Sequence, residues 1–154
     1  MLITTRFELG APVEAAWAYL LDVPKIAHCV PGASLTDVID DKTYAGKVEV
    51  KLGPISVSYK GRITIESMDA VTHTVRVKAE GTETRGRGGA SAVVTAELQA
   101  SEKGTSVVMN TDLSVSGLVA QFGRTGIMQE VAQRMAQRFA SCVDQELKTA
   151  TPAG

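Results

Sequence analysis

The residue pair best suited by type to do chemistry is His28-Cys29, at the start of a loop that runs to Ala33. A thiol beside an imidazole could act as a nucleophile with its base. Adjacent side chains usually point apart, however, and the sequence shows no third group that would orient the base. We therefore interpret the pair as a loop anchor and predict no catalytic residues.

A metal site would need the two cysteines, Cys29 and Cys142, to converge with His28 and His73. Their spacing matches no ligand motif such as Cys-x-x-Cys, so we predict no metal site. Two cysteines also make no disulfide framework, which favours reduced thiols in a cytoplasmic protein. Cys142 falls on an apolar helical stripe, where its simplest interpretation is a small buried hydrophobe.

A glycine-rich segment, Thr84-Arg85-Gly86-Arg87-Gly88-Gly89, superficially resembles a phosphate loop. It falls between two predicted strands, whereas phosphate loops open a helix. We therefore predict a wide hairpin. Two interpretations of its arginines stay open at this point: contacts to a partner or to anionic lipid, or a solvated turn.

Composition sets limits on the partners of this chain. Its 154 residues fit one domain. Lys and Arg number 16 against 17 Asp and Glu, which gives no reason to expect a nucleic-acid partner. No apolar run reaches the roughly 20 residues that span a bilayer, and no signal peptide is visible. We predict one domain over residues 1–148 and a disordered tail over 149–154.

Hydrophobic periodicity predicts an α+β chain in the order β-α-α-β6-α. Residues 2–10 alternate as a strand, two short helices follow, and a period of two dominates from Ser34 to Ser116. From Gly117 to about Leu147 the apolar residues recur with the helical period, which predicts one long amphipathic helix. A curved, seven-stranded antiparallel sheet around that helix buries both apolar surfaces.

The inward face of the predicted sheet carries many small residues, among them Gly46, Gly61, Ala79 and Ala92. Such a face opposite a methionine-bearing helix leaves room for an apolar pocket. Alternatively, the helix sits closer to the small residues and fills the space. The residues predicted to line the pocket are Tyr44, Val48, Val50, Tyr59, Ile63, Val77, Ala92, Val94, Ala96, Met109, Leu118, Gln121, Phe122, Arg124, Met128, Val131, Met135 and Phe139.

Two of these residues are candidates for a polar ligand contact. Extending the helix phase backward from Met128 places Gln121 and Arg124 on the apolar stripe, where they could bond a quinone carbonyl. If Gly123 and Gly126 break the helix, the extrapolation fails, and both interpretations weigh equally. Inward tyrosines also stay open between cavity-wall donors and core residues.

Short motifs in a specific order cover nearly the whole chain. They are Pro12-Val13-Glu14 with Trp17, Val30-Pro31-Gly32, the stretch from Lys47 to Gly61, Gly86-Arg87-Gly88-Gly89-Ala90 and the stretch from Gly117 to Gly123. With this element order, the chain resembles the helix-grip fold of the START and birch-pollen-allergen (SRPBCC) superfamily. Within that superfamily it is similar to the family of the carbon monoxide dehydrogenase G protein.

The resemblance implies a small accessory protein, without catalytic machinery, for an aerobic molybdenum CO dehydrogenase or related hydroxylase. It also implies a cavity that binds a menaquinone-like quinone or similar lipid, no covalent cofactor, and a cytoplasmic protein with peripheral contact to the inner face of the cell membrane. One alternative is a ligand-free module that docks the enzyme to the membrane. Another is a cyclase-like or hydrolase-like enzyme, although the inward residues offer almost no acid–base pair.

Overall fold

A computed structural model describes residues 1–122 and 126–150. It confirms the predicted α+β class and element order. The strands are β1 (Leu2–Leu9), β2 (Ala33–Val38), β3 (Thr43–Leu52), β4 (Ile55–Asp69), β5 (Thr74–Glu83), β6 (Gly89–Ser101) and β7 (Gly104–Val115). The helices are α1 (Val13–Leu20), α2 (Val23–Ile26) and α3 (Ile127–Ala150), and short 3₁₀ segments occupy Ala27–Cys29 and Gly117–Phe122.

All seven strands pair antiparallel in one sheet, in the order β1-β7-β6-β5-β4-β3-β2. The register aligns small residues in one row across four strands, namely Gly46, Gly61, Gly81 and Ala90. A Cβ atom on Gly61 would lie 1.8 Å from the carbonyl oxygen of Glu80. Only glycine permits this close approach of β4 and β5.

Helix α3 covers the free edge of β1 with a row of glutamines. Gln129 Nε2 donates to the Thr4 carbonyl at 2.7 Å. Gln133 donates to the Arg6 carbonyl at 2.9 Å and accepts from its N–H at 3.2 Å, and Gln137 Nε2 also donates to that carbonyl. An unpaired strand edge invites association with other chains, so this polar face of α3 both positions the helix and protects the edge.

One end of the molecule is a closed core, where α1 and α3 meet the inner face of β1, β6 and β7. Its most buried large side chains include Phe7, Leu9, Trp17, Leu98, Val107, Val143 and Leu147. The rings of Phe7 and Phe139 meet edge to face with centroids 5.9 Å apart. Large side chains from every contributing element fill this region.

The C-terminal part of the chain departs from two predictions. The long helix begins at Ile127, not at Gly117, and Gly117–Phe122 forms a separate 3₁₀ segment. Gly117 and Gly126 adopt φ values of +79° and +75°, which are incompatible with a continuous right-handed helix. At the other end α3 continues to Ala150, so residues 149 and 150 do not belong to a disordered tail, and residues 151–154 lie outside the described ranges.

The two cysteines form a disulfide, so the prediction of free thiols is wrong. Cys29 ends a 3₁₀ segment and Cys142 lies on α3, with 5.4 Å between their Cα atoms. The bond joins positions 113 residues apart in sequence, and only the packing of α3 beside the 3₁₀ segment brings them together. Among the described helices, none combines the length and apolar character that crossing a bilayer requires.

Candidate functional site

The middle of the sheet's inner face is only half covered. Three clusters of buried residues surround it: the closed core, a cluster around Tyr44 and Ile65, and a cluster around Leu52 and Val57 near the start of α3. The apolar residues between these clusters are only partly buried. We call them the open inner face, and they are Val48, Ala79, Ala92, Val94 and Leu113.

The cross-strand register concentrates small side chains in this region. One row aligns Ala79 with Ala92 and Leu113. The neighbouring row aligns Gly61, Gly81 and Ala90. Short side chains reach less far toward α3 than the leucines and phenylalanines of the closed core do. The open inner face therefore forms the floor of an apolar recess.

Helix α3 presents two adjacent apolar stripes with different burial. One stripe is buried and consists of Ala136, Ala140, Val143 and Leu147. The other, which includes Met128, Val131, Met135 and Phe139, is only partly buried. Met128 and Val131 pack against the Leu52–Val57 cluster, and Phe139 packs against the closed core. The second stripe thus forms a wall that runs along the recess.

One end of the recess carries a buried carboxylate that the sequence patterns did not reveal. The side chain of Glu83 is 2% exposed and forms an ion pair with Arg87, whose Nε donates to Oε1 at 2.9 Å. The backbone N–H groups of Arg85 and Arg87 donate to the same oxygen at 3.1 Å. The Arg87 side chain, followed by these backbone donors, lowers the pKa of Glu83 to about 2. The alternation of β5 places Glu83 on the face of Val77 and Ala79, which is the signal that could have identified it.

The ion pair also fixes the glycine-rich hairpin. Its segment 84–88 connects β5 to β6, as predicted, and does not open a helix. Arg87 is held by Glu83, whereas Arg85 is exposed. The carbonyl of Arg87 accepts a hydrogen bond of 3.0 Å from the N–H of Leu118. This bond ties the hairpin to the 3₁₀ segment that precedes α3.

The two inward tyrosines differ in their surroundings. Tyr44 is 6% exposed, and its hydroxyl donates to the Asp41 carbonyl at 2.9 Å, so its polar group is satisfied within the fold. Tyr59 is partly buried and faces Glu83 across β4 and β5. Burial, followed by the charge of Glu83, raises the pKa of Tyr59. Its hydroxyl makes no hydrogen bond to any residue in the described ranges, so it is available to a ligand.

The predicted pocket residues fall into distinct environments. Tyr44 and Ala96 are buried, and Gln121 is exposed. The helix phase does not extend to Gln121, because α3 begins only at Ile127. Arg124 and the side chain of Phe122 lie outside the described part of the chain. The remaining predicted residues are partly buried: Val48, Val50, Tyr59, Ile63, Val77, Ala92, Val94, Met109, Leu118, Met128, Val131, Met135 and Phe139.

An open concavity of about 560 Å³ lies on the opposite, solvent-facing side of the sheet, behind the aligned glycines. Exposed side chains of β4, β5, β6 and β7 line it, including Lys60, Arg62, Glu80, Ser91 and Ser114. It reflects the bend of the strands at Gly61. This concavity is distinct from the predicted pocket between sheet and helix.

The His28-Cys29 pair is not arranged as a nucleophile with its base. The Sγ atom of Cys29 lies 3.8 Å from His28 Nε2 but is bonded to Cys142. His28 Nε2 contacts one carboxylate oxygen of Glu146, and the Tyr19 hydroxyl donates to the other at 2.5 Å. The hydrogen bond from Tyr19, followed by that from His28, lowers the pKa of Glu146. The same Tyr19–Glu146 bond is the main cause that raises the pKa of Tyr19 to about 12.

Comparison with solved structures identifies the fold. A conserved protein from Geobacillus kaustophilus superposes with a TM-score of 0.83 at 20% identity, over 97% of both chains. The ZhuI aromatase/cyclase from Streptomyces sp. R1128 gives 0.65 at 14% identity, over 100% of this chain and 98% of that one. Ara h 8.0201 gives 0.59 at 12% identity, over 97% and 98%. These identities establish a shared helix-grip fold and nothing about shared activity.

Sequence comparison identifies the family. Comparison with curated protein sequences gives no significant match. The sequence profile of the carbon monoxide dehydrogenase G protein (CoxG), by contrast, matches residues 6–148, which is most of the chain and includes part or all of every helix and strand described above. The chain therefore belongs to the carbon monoxide dehydrogenase CoxG family, as the motif resemblance predicted.

Proposed function

We propose that this protein is a non-catalytic accessory protein that carries one elongated apolar molecule in the recess between the sheet and α3. Family membership indicates an accessory role for carbon monoxide dehydrogenase. Beyond that role, we propose that the cargo is a menaquinone-type quinone and that the partner is a molybdenum-containing enzyme. The carrier would link this enzyme to the electron-transport chain of the membrane, while the enzyme's own cofactors perform the redox chemistry.

The half-covered inner face is the observation that carries this proposal. Val48, Ala79, Ala92, Val94 and Leu113 are apolar, face α3 and lie between well-packed clusters, yet remain partly exposed. Covering apolar surface gains about 25 cal/mol per Å² removed from water. An isoprenoid tail would remove both its own surface and that of the recess from water, which suits a long apolar ligand.

A quinone also needs a polar contact for its head group. One or two donors suffice to orient a mostly apolar ligand, and the Tyr59 hydroxyl supplies one without giving up a bond inside the described fold. The Glu83–Arg87 ion pair lies next to it and holds the loop at this end of the recess. We therefore propose that the head group lies at Tyr59 and that the tail extends toward Met135 and the closed core.

Delivery would occur at the same end of the molecule. The hairpin 84–88 is tied to the 3₁₀ segment Gly117–Phe122 by the bond between Arg87 and Leu118. Arg85 is exposed on this hairpin and suits an anionic partner surface or anionic lipid headgroups. We propose that this end contacts the dehydrogenase or the membrane surface when the quinone is transferred.

The proposal is tested by quinone binding to the purified full chain. Native mass spectrometry with a short-tailed menaquinone should show one quinone per chain, and organic extraction should release a co-purified quinone or lipid. Replacing Tyr59 with Phe removes one hydrogen bond, which is worth about 0.5–1.5 kcal/mol, and should weaken binding about threefold to tenfold. Tyr44→Phe is the matched control and should leave the affinity unchanged.

The result that contradicts the proposal is a protein that neither co-purifies with a lipid nor binds added quinone. If such a protein still captured the dehydrogenase at a membrane, the ligand-free docking module would replace the carrier as the better account.

A further inference from the structure

Four side chains with metal-binding atoms converge where the 3₁₀ segment Ala27–Cys29 meets α3. A ring nitrogen of His28, the sulfur atoms of Cys29 and Cys142, and a carboxylate oxygen of Glu146 all lie within 4.8 Å of one another. Two are adjacent in the 3₁₀ segment. The other two are four residues apart on α3, a spacing that places them on one helical face.

This set of atoms matches the coordination preferences of zinc. Zn²⁺ is bound tetrahedrally by cysteine sulfur at about 2.3 Å and by histidine nitrogen or carboxylate oxygen at about 2.0–2.2 Å. Those bond lengths separate neighbouring ligand atoms by about 3.3–3.8 Å, within the span of the four groups. Thiolate and imidazole ligands also favour Zn²⁺ over Mg²⁺ or Ca²⁺.

The surroundings of the cluster support binding of an ion. The Tyr19 hydroxyl donates to one oxygen of Glu146, while the other oxygen faces His28, and such a bond orients a ligating carboxylate. Cys29 is 4% exposed and held in place by the fold, whereas the His28 side chain is 59% exposed. An ion can therefore reach the buried sulfur atoms from solvent along His28.

We propose that these four groups form a Zn²⁺ site that is gated by the oxidation state of the cysteines. When the disulfide is reduced, both thiolates, the imidazole of His28 and the carboxylate of Glu146 bind one Zn²⁺. When the disulfide forms, both sulfur ligands are consumed and the ion leaves. In either state the 3₁₀ segment stays linked to α3, so the exchange alters the chemistry at this junction and not the topology.

The redox step balances with a dithiol as reductant. The protein disulfide accepts two electrons and two protons and becomes two thiols, while the dithiol becomes a disulfide. Zn²⁺ then displaces the two thiol protons as it binds the thiolates. Oxidation by a disulfide of higher reduction potential reverses the sequence and releases the metal.

The test is metal titration of the full chain in both oxidation states. A phosphine, which becomes its oxide and adds no competing thiol, reduces the protein under anaerobic conditions before Co²⁺ is added. We expect one Co²⁺ per chain, with the visible absorption of tetrahedral thiolate-bound cobalt, and displacement of Co²⁺ by Zn²⁺. The oxidised protein should bind neither ion at the same concentrations.

Two histidine variants make the test specific. His28→Ala changes an exposed side chain and should weaken Zn²⁺ binding by about tenfold or more. His73→Ala is the matched control, because His73 instead contacts Trp17 and the Glu14 carboxylate, and its affinity should equal that of the wild type. Cys142→Ser should abolish the cobalt absorption.

Three outcomes would overturn the zinc site. They are a reduced wild-type protein that shows no thiolate–cobalt absorption, equal metal binding by the oxidised protein, and equal losses in His28→Ala and His73→Ala. Because His28→Ala leaves both cysteines and the closed core in place, its result does not depend on whether Cys142→Ser folds.

Discussion

The closed core and the open inner face are built from the same curved sheet and the same helix, yet only one of them is filled. Strand β6 shows the difference within a few residues. Its inward residue Leu98 is 2% exposed in the closed core, whereas Ala92, on the same face of the same strand, is only partly buried. The comparison shows that side-chain size along one strand decides where sheet and helix meet and where they leave space.

Helix α3 follows the same division. Its buried stripe packs into the closed core with small residues such as Ala136 and Ala140, which allow close approach. Its partly buried stripe carries the longer, flexible side chains of Met128 and Met135. Methionine adapts to irregular surfaces, so this stripe suits contact with a ligand better than contact with a rigid core.

The largest expected effect comes from removing a leucine on either side of this boundary. Leu98→Ala should lower the free energy of unfolding by about 2–5 kcal/mol, because it leaves a cavity in the closed core. Leu113→Ala should cost about 1 kcal/mol, because Leu113 is already partly exposed and less of its surface is removed from water. Chemical denaturation measures both values. Equal costs would mean that the two regions are packed alike.

A second pair of variants adds volume in place of removing it. Ala96→Phe should destabilise the protein by about 1–3 kcal/mol, because Ala96 is buried between Val75 and Met109 and its site is overpacked by a ring. Ala92→Phe should cost less and should block the recess. In thermal melts, menaquinone should raise the Tm of the wild type but not that of Ala92→Phe. A quinone-dependent Tm in Ala92→Phe would place the ligand elsewhere.

A third prediction concerns pH and the polar end of the recess. The pKa of Glu83 lies at about 2 in the folded protein, below its ordinary value of 4.5. Its contribution to stability is therefore fully present above about pH 4.5 and is lost as the pH falls toward 2.

Glu83→Gln isolates that contribution from the other carboxylates. The difference in unfolding free energy between wild type and variant should be constant above about pH 4.5 and shrink progressively toward pH 2. Denaturant titrations over this range measure it. A difference that does not change with pH would show that the Glu83 charge contributes no stability.

The smallest expected effect lies at the edge of β1, outside both regions. Gln133→Ala removes two hydrogen bonds to Arg6, each worth about 0.5–1.5 kcal/mol, and should also promote self-association at higher protein concentration. Gln145→Ala, at an exposed position of the same helix, should change stability by no more than about 0.5 kcal/mol. Denaturation and light scattering compare the two variants, and indistinguishable results would remove the proposed role of the glutamine row.

Alternation and helical periodicity predicted the sheet, the order of elements and the apolar stripe of α3, because these patterns follow from which face of each element is buried. They did not predict that α3 starts at Ile127, since positive φ angles at Gly117 and Gly126 depend on the path of the chain. Glu83 was missed because an inward charge is explained only by its partner, Arg87, beyond the end of the strand.

Long-range convergence was the other limit. Cys29 and Cys142 become neighbours only when α3 packs beside the 3₁₀ segment, and Glu146 joins His28 through the same packing. Nothing in the local spacing of these residues encodes that contact. The polar contact predicted at Gln121 failed for a related reason, since its position was extrapolated along a helix that does not extend so far.

The most direct test of the carrier hypothesis is a titration of methyl-labelled full chain with a short-tailed menaquinone, followed by NMR. We predict shift changes for the methyl groups of Ala92, Val94, Leu113, Met128 and Met135, with those of Leu9, Val107 and Val143 unchanged. Shift changes confined to the closed core, or none at saturating quinone, would contradict the claim that the open inner face is a binding site.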